Sequence, residues 1–322
     1  MYEGNTAVCT VEMPPHGNSI STYDHAEGPW NEFVFFARNT AYRPQNNNNP
    51  HPTESLTTDG GYGSYFGKVL AVPSKGARAY GTGEGGSTLL IAQSDVITWS
   101  INMTRSGLFV MSGPGAGQWR RIVSARNTTA LGSVPAVLLA VDEPFDVSPV
   151  AGVSVVGVSP LRAHQLIVGN RWVWGTEVQT YGTAIGVVMA DNTLEHMRWG
   201  LKIYGGDYQG GAQPNWHVEV TKNTHINSRG FAMYPSKVGG SLQCDECGGV
   251  HFGPGAGNLY YVDYYRGIYL RDNDFFGVFD DHPTFGYGNP CAGANVTGVG
   301  AGVVLQGTRF TGCPEGNIPG GL

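Results

Sequence analysis

Leu166-Ile-Val-Gly-Asn170-Arg-Trp172 returns along the chain as Val188-Met-Ala-Asp-Asn192-Thr-Leu194, and again as Val218-Glu-Val-Thr-Lys-Asn223. Each copy places two apolar residues two positions apart, then a polar pair, then Asn, then an apolar or aromatic residue where the copy continues. Later copies are Leu242-Gln-Cys-Asp-Glu-Cys247, Ile268-Tyr-Leu-Arg-Asp-Asn273-Asp-Phe275 and Val303-Val-Leu-Gln-Gly-Thr308-Arg-Phe310, and Val34-Phe-Phe-Ala-Arg-Asn39 is an early one. The anchors 170, 192, 223, 247, 273 and 308 lie 22, 31, 24, 26 and 35 residues apart. Periods in the twenties with loop insertions are those of a solenoid with one β-rung per repeat. No coil can bury its apolar residues alone, whereas coils stacked about 4.8 Å apart share one continuous core. Asn at the turn tolerates the left-handed conformation, and its amide can hydrogen-bond the Asn of the next coil. The predicted class is all-β, a right-handed parallel β-helix.

Composition agrees with that class. The 322 residues include 49 glycines and 19 prolines, against an average of about 12 % for the two together. Hydrophobic residues reach 41 % while charged ones are 14 %, enough for a core and inconsistent with global disorder. A net charge of −6 with five lysines argues against a nucleic-acid partner. No apolar run approaches the roughly 20 residues of a membrane span.

Three N-glycosylation sequons, at Asn102, Asn127 and Asn295, point to an extracellular, secreted protein. Of the five cysteines, Cys244 and Cys247 form a Cys-x-x-Cys with no second pair at zinc-ligand spacing, so disulfide chemistry fits better than metal. Cys291 and Cys313 are about one coil apart and could close a loop worth roughly 3 kcal/mol. The odd count leaves one cysteine over. No basic and apolar leader precedes Tyr2, so the chain is expected to be a mature form or a fragment of something longer.

Residues 108–158 hold several short β runs linked by Gly and Pro, and are expected to be an inserted β-hairpin unit leaning on the helix. The outward positions Leu166, Val168, Val188 and Ala190 are apolar, so a covering element is expected there. The division is then residues 1–107 as N-terminal coils with a long polar loop at 40–63, the insert at 108–158, and coils again over 159–322.

Around this repeat the chain resembles the right-handed parallel β-helix, or pectin-lyase-like, superfamily. From Gly113-Pro-Gly-Ala-Gly-Gln118-Trp-Arg-Arg121, through Val141-Asp-Glu-Pro-Phe145 and Tyr181-Gly, to Gln213-Pro-Asn-Trp216, it is similar to uncharacterised bacterial right-handed β-helix repeat proteins. The resemblance spans roughly 110–275. It implies the fold strongly and the activity weakly, since that superfamily holds lyases, hydrolases, esterases, adhesins and inert stalks. Such proteins bind extended polysaccharides along the outer face of one sheet. The lyase Arg-x-x-Pro-x-x-Arg segment and the pectin-esterase motifs are absent. An Asp-Asp pair occurs at Asp280-Asp281, but no Gly-His-Gly or Arg-Ile-Lys of polygalacturonases follows it.

Strand alternation names a candidate face. With Val218, Val220, Leu242, Cys244, Ile268 and Leu270 inward, the outward set over three coils is Glu219 and Thr221, Gln243 and Asp245, then Tyr269 and Arg271. Lys222, Glu246 and Asp272 are the turn residues beside them. As a lyase, Asp245 and Glu246 could hold Ca²⁺ through oxygen ligands while Lys222, Arg271 or Tyr269 removes a proton α to a uronate carboxylate. As a hydrolase, Asp245 and Asp272 would serve as acid and base. As a solvated face, the same charges would form salt bridges between rungs of little individual worth. Glu219 and Gln243 would bind substrate, and Tyr264 and Tyr265, in the run Tyr260 to Tyr265, could stack on sugar rings or line a flank.

The acidic run Asp272 to His282 lacks regular Ca²⁺-loop spacing and reads as turns. His217, His225 and His251 lack metal spacing and read as surface or turn residues. Two functions follow: binding or cleavage of an extracellular, acidic polysaccharide, or a structural and adhesive role in a filament, sheath or cell surface. The second is motivated by ends that show no amphipathic capping helix, which would leave edge strands open to end-to-end self-association.

Overall fold

A computed structural model describes residues 2–8, 30–42, 55–59, 63–73, 88–93, 103–130, 134–173, 177–197, 200–206, 212–228, 231–236, 250–252, 259–261, 265–276, 294–296 and 303–311. Among them the architecture is all-β: four parallel sheets, one closed antiparallel barrel and a two-stranded hairpin. No helix of these residues is long and apolar enough to cross a membrane.

The chain visits the four parallel sheets in a fixed cyclic order. From Leu161–Ala163 it passes to Leu166–Val168, Arg171–Val173 and Glu177–Tyr181, and the next circuit lays Ala184–Ile185, Val188–Ala190, Thr193–Glu195 and Gly200–Gly206 beside them. The pairing is in register, with Ile167 on Met189, Trp172 on Leu194 and Thr180 on Ile203. The strand beginning each pair of circuits belongs to what we term the fourth sheet; the first, second and third follow. In the first sheet the middle residues Phe36, Ile167, Met189, Val220 and Leu270 are buried in one shared core. Phe36 stacks on Trp172, ring centroids 6.2 Å apart, inside it.

The corner between first and second sheets carries the ladder expected from the repeat, and it reaches further than expected. Asn5, Asn39, Asn170, Asn192, Asn223 and Asn273 are joined amide to amide, each Nδ2 donating to the next Oδ1 at 2.9–3.0 Å. The same Oδ1 also accepts a backbone N–H from the preceding ladder residue, as Asn273 does from Asn223 at 3.0 Å. The second Nδ2 proton goes to a carbonyl, from Asn223 to Met189 and from Asn273 to Val220, at 2.9 Å each. In Asn192 and Asn223 every polar capacity of the buried amide is therefore used, the condition under which burying it is tolerated.

The structure corrects five expectations here. The left-handed residue is the one before each Asn, Gly4, Arg38, Gly169, Asp191, Lys222 and Asp272, and before Thr308, Gly307; all have φ between 51° and 66°. The Asn follows that reversal, which turns its side chain into the stack. Next, Leu242–Cys247 forms no rung between Glu219–Thr221 and Ile268–Arg271, because those two strands pair directly and Asn223 bonds straight to Asn273. Residues 237–249 lie outside the described residues, and beyond them Val250–Phe252 pairs antiparallel with Leu259–Tyr261.

Third, the inserted unit starts well before 108. Tyr65–Ala71 and Thr88–Ala92 join Gly107–Ser112, Trp119–Ala130, Val134–Val141 and Val155–Ser159 in the closed barrel. Fourth, the polar loop at 40–63 begins and ends in strands, Thr40–Tyr42 and Leu56–Asp59, with 43–54 outside the described residues. Fifth, the outer face of the first sheet is covered only in part: Ala190 is buried, but Leu166 remains 37 % exposed, and Val168 and Val188 are half-buried.

The barrel packs against the fourth sheet instead. Strand alternation divides Gly107–Ser112 between two cores: Leu108 and Val110 face the barrel interior, Phe109 and Met111 the core of the stacked coils. Phe109 meets Trp216 edge-on at 5.7 Å, and the Arg266 guanidinium lies 5.7 Å from the same indole. At Gly157 a Cβ would fall 2.6 Å from that of Ala212, so the contact requires glycine. The Gly113 to Gln118 segment that carried the resemblance is a structural clip. Gln118 Oε1 accepts from the N–H groups of Asp146 and Val147, and its Nε2 donates to the carbonyls of Gly115 and Val147.

Asn223→Ala removes the acceptor of two Asn192 donors and the amide donor to the Met189 carbonyl, and leaves Asn273 Oδ1 with only the backbone N–H of residue 223. The expected cost is about 2–4 kcal/mol, read as a lower denaturant midpoint; an unchanged midpoint would mean the ladder adds no net stability.

Candidate functional site

Because Val220 and Leu270 point into the core, their neighbours point out. Glu219 stands beside Tyr269 and Thr221 beside Arg271 in adjacent strands of the first sheet, all four half-buried. The Arg271 guanidinium lies 4.5 Å from the centre of the Tyr269 ring, a separation at which the π-face attracts a cation. Lys222 and Asp272 occupy the left-handed corner beside this face and are exposed. Their backbones are tied into the stack, Lys222 N donating to the Arg271 carbonyl at 3.0 Å and Asp272 N to that of Gln306 at 2.8 Å.

The structure thus brings together Glu219, Lys222, Tyr269, Arg271 and Asp272. Gln243, Asp245, Glu246 and Tyr264 lie outside the described residues, as do Cys244, Cys247, Cys291, Cys313 and Asn102. The backbone of Tyr265 is in the fourth sheet, paired with Asn215, and that of Asn295 is in the third, paired with Ala232. Asn127 is exposed on the barrel strand opposite Val137, a position accessible to glycosylation. No group of three or more His, Cys, Asp or Glu gathers as a metal site among the described residues.

Of the acidic run, Asp272 stands at the corner and Asp274 on the second sheet, while 277–282 lie outside the described residues. Asp274 points out from the second sheet, where both its oxygens accept from Arg309 at 2.6 Å. Those hydrogen bonds hold its carboxyl below the ordinary range and raise the Arg309 guanidinium. Arg171 is likewise raised by its two-pronged bond to Glu195 one rung away, at 2.8 and 2.9 Å. His217 is exposed at a corner as expected, but His225 is not a surface residue: it is 1 % exposed, its ring 4.4 Å from Phe275 in the second sheet.

Several outer arginines are paired with carboxylates: Arg38 with Glu3, Arg171 with Glu195 and Arg309 with Asp274 on the stack, and Arg121 of the barrel with Glu32. Arg271 differs. Among the described residues no carboxylate lies within ion-pair distance of it, and its Nε–H, turned against the sheet, has no hydrogen-bond acceptor. A cation held on an aromatic face, with carboxylates of Glu219 and Asp272 nearby and a lysine at the corner, can meet an anionic group and hydroxyls together.

Sequence reasoning missed an aromatic group at the seam between barrel and stacked coils. Phe33 stacks on His164 with centroids 5.2 Å apart and planes 16° from parallel, and Trp119 of the barrel lies 6.0 Å from the same imidazole. Glu32, its carboxylate 1 % exposed, pairs with Arg121 beside them. These residues come from segments far apart in the chain, and nothing in their spacing marks them.

Comparison with known proteins finds no matching protein-family model and no curated protein sequence that matches the chain.

The Asp274 carboxyl is depressed in the folded state, so its pairing contributes stability above the unfolded value of about 3.9 and loses it as pH falls through the folded one. Asp274→Asn should therefore melt below the parent at neutral pH, the gap narrowing toward acid. A gap that stays constant across the titration would show that the charge of Asp274 plays no part.

Proposed function

We propose that the chain is a secreted right-handed parallel β-helix protein of the pectin-lyase-like kind, which binds an extended acidic polysaccharide along the outer face of its first sheet. The observation that carries this reading is Arg271, stacked on Tyr269 with no carboxylate of its own among the described residues. An unneutralised guanidinium suits a planar carboxylate, which it can grip with two parallel hydrogen bonds. Lys222 on the adjacent corner supplies a second positive charge one coil away. The Tyr269 ring offers an apolar face to the C–H side of a sugar, while Glu219 and Thr221 accept from its hydroxyls. In-register coils repeat about every 4.8 Å, so an extended chain laid along the stack meets successive rungs at a regular interval.

Electrostatic gripping of this kind weakens with salt and requires the charged ligand. Calorimetry against polygalacturonate, alginate and hyaluronan, with a neutral glucan beside them, is expected to show binding of an acidic chain that falls as salt rises. Arg271→Ala should weaken it about tenfold, or ~1.4 kcal/mol, with partial recovery in Arg271→Lys. Equal affinity for the neutral glucan, or no acidic chain bound, would overturn the reading. Concentration-dependent sedimentation without glycan binding would favour the filament role instead.

A further inference from the structure

We propose that the seam between the barrel and the stacked coils is a second glycan-binding site, in which the exposed ring of Phe33 stacks on a pyranose beside His164, Trp119 and Arg121. The inference rests on the reading that the protein binds polysaccharide and adds a subsite to it.

The corner between the fourth and first sheets has one left-handed residue per coil: Phe33, His164, Gly186, His217 and Gly267, with φ between 55° and 63°. Two of the five are glycine, so the backbone needs no side chain there. Phenylalanine in that conformation is strained, because its Cβ crowds the following carbonyl oxygen. Its ring recovers little of this by burial, because the residue is 74 % exposed. A bulky residue kept in an unfavourable backbone state and in water is the kind of outlier that marks a functional position.

The geometry indicates what the ring meets. Trp30–Glu32, which leads into Phe33, is the outermost strand of the fourth sheet among the described residues. One face of the ring rests on the His164 imidazole, which itself lies over Gly186, 3.2 Å from where a Cβ would stand. The other face is open. Besides Trp119, hydrogen-bonding groups stand beside it: His164, exposed, and Arg121, whose side chain is 34 % exposed although one arm is held by Glu32. A ligand that suits this setting has an apolar C–H face edged with hydroxyls, which describes a pyranose. A purely apolar protein surface would leave the polar groups unanswered. A nucleobase would stack equally well, but its phosphate chain is disfavoured by a net charge of −6.

The position is continuous with the face carrying Arg271. Phe33 is two residues before Phe35, which begins the outward row Phe35, Leu166, Val188, Glu219, Tyr269 across five coils. Four rung spacings separate the ends of that row, about 19 Å, a span that one extended chain of several sugars covers. A glycan anchored by its carboxylate at Arg271 can therefore reach the Phe33 ring across the apolar outward positions Val188 and Leu166.

Phe33→Gly tests this cleanly, because glycine removes the ring and relieves the backbone. Its thermal midpoint should equal or exceed that of the parent. Binding of the acidic glycan that the parent takes should weaken about three- to tenfold, the range of one aromatic contact. The glycan-induced change in tryptophan fluorescence that Trp119→Phe abolishes should be lost in Phe33→Gly as well. A lowered midpoint would make the ring a packing element and overturn the proposal. So would unchanged affinity together with an unchanged Trp119 signal; if Arg271→Ala still lost binding, the reading of the first-sheet face would stand without the seam. A Trp119 response with full sensitivity to Phe33→Gly but none to Arg271→Ala would keep the seam and remove the face. Absence of binding to every glycan tested overturns both.

Discussion

Every other feature depends on coils stacking in register, and the buried asparagine ladder fixes that register. A parallel sheet of three-residue strands has few hydrogen bonds with which to resist slippage, and a slip of one residue would turn each apolar row outward. The ladder removes that freedom. A displaced coil would leave an amide with four unmet hydrogen-bonding capacities in the core, at 0–3 % exposure from Asn39 to Asn273. With the register set, Met189, Val220 and Leu270 must fall on one line inside, and Glu219 and Tyr269 on one line outside. The candidate face is thus a by-product of the device that holds the core together.

Charge on the outer faces separates into two kinds. On the second sheet, Arg171 with Glu195 and Arg309 with Asp274 face each other across adjacent rungs and neutralise one another. Such exposed pairs add little stability individually, and they leave those positions without net charge. On the first sheet, Arg271 lies over an aromatic ring instead of a carboxylate. The contrast between adjacent faces of one stack, built by the same repeat, is what sets the first sheet apart as a place where a ligand could supply the missing charge.

The ladder and the inward rows were legible because Asn170, Asn192, Asn223 and Asn273 recur behind paired apolar residues, and alternation then fixes which neighbours point out. The rung expected at Leu242 to Cys247 shows the limit: residues at matching offsets satisfy the repeat in sequence, whereas Glu219–Thr221 and Ile268–Arg271 pair directly with each other. The barrel strands at Tyr65–Ala71 and Thr88–Ala92 were read as coils for a similar reason, since a short apolar strand looks the same in either setting. The left-handed corner had a signal that went unused: Gly4, Gly169 and Gly307 each precede a ladder-register position. The seam had none, because Phe33, Trp119 and His164 meet only through the docking of the barrel.

The barrel leaves the stack between two coils that are immediate neighbours, so the Asn39 amide bonds to Asn170 across 131 positions of sequence. Closing so long a loop carries an entropic cost that adjacent coils, bonded across 22 or 31 positions, largely avoid. By loop closure alone, adding a coil is easiest from Asn170 through Asn192 to Asn223 and costs most where Asn39 must meet Asn170. The part of the chain that a ribosome releases first is the part that waits longest for its partner. Until that partner arrives Phe36 and Ala41, buried at 2 % and 5 % in the finished protein, have no core to enter, and a barrel already folded would shorten the gap that the first coil must cross.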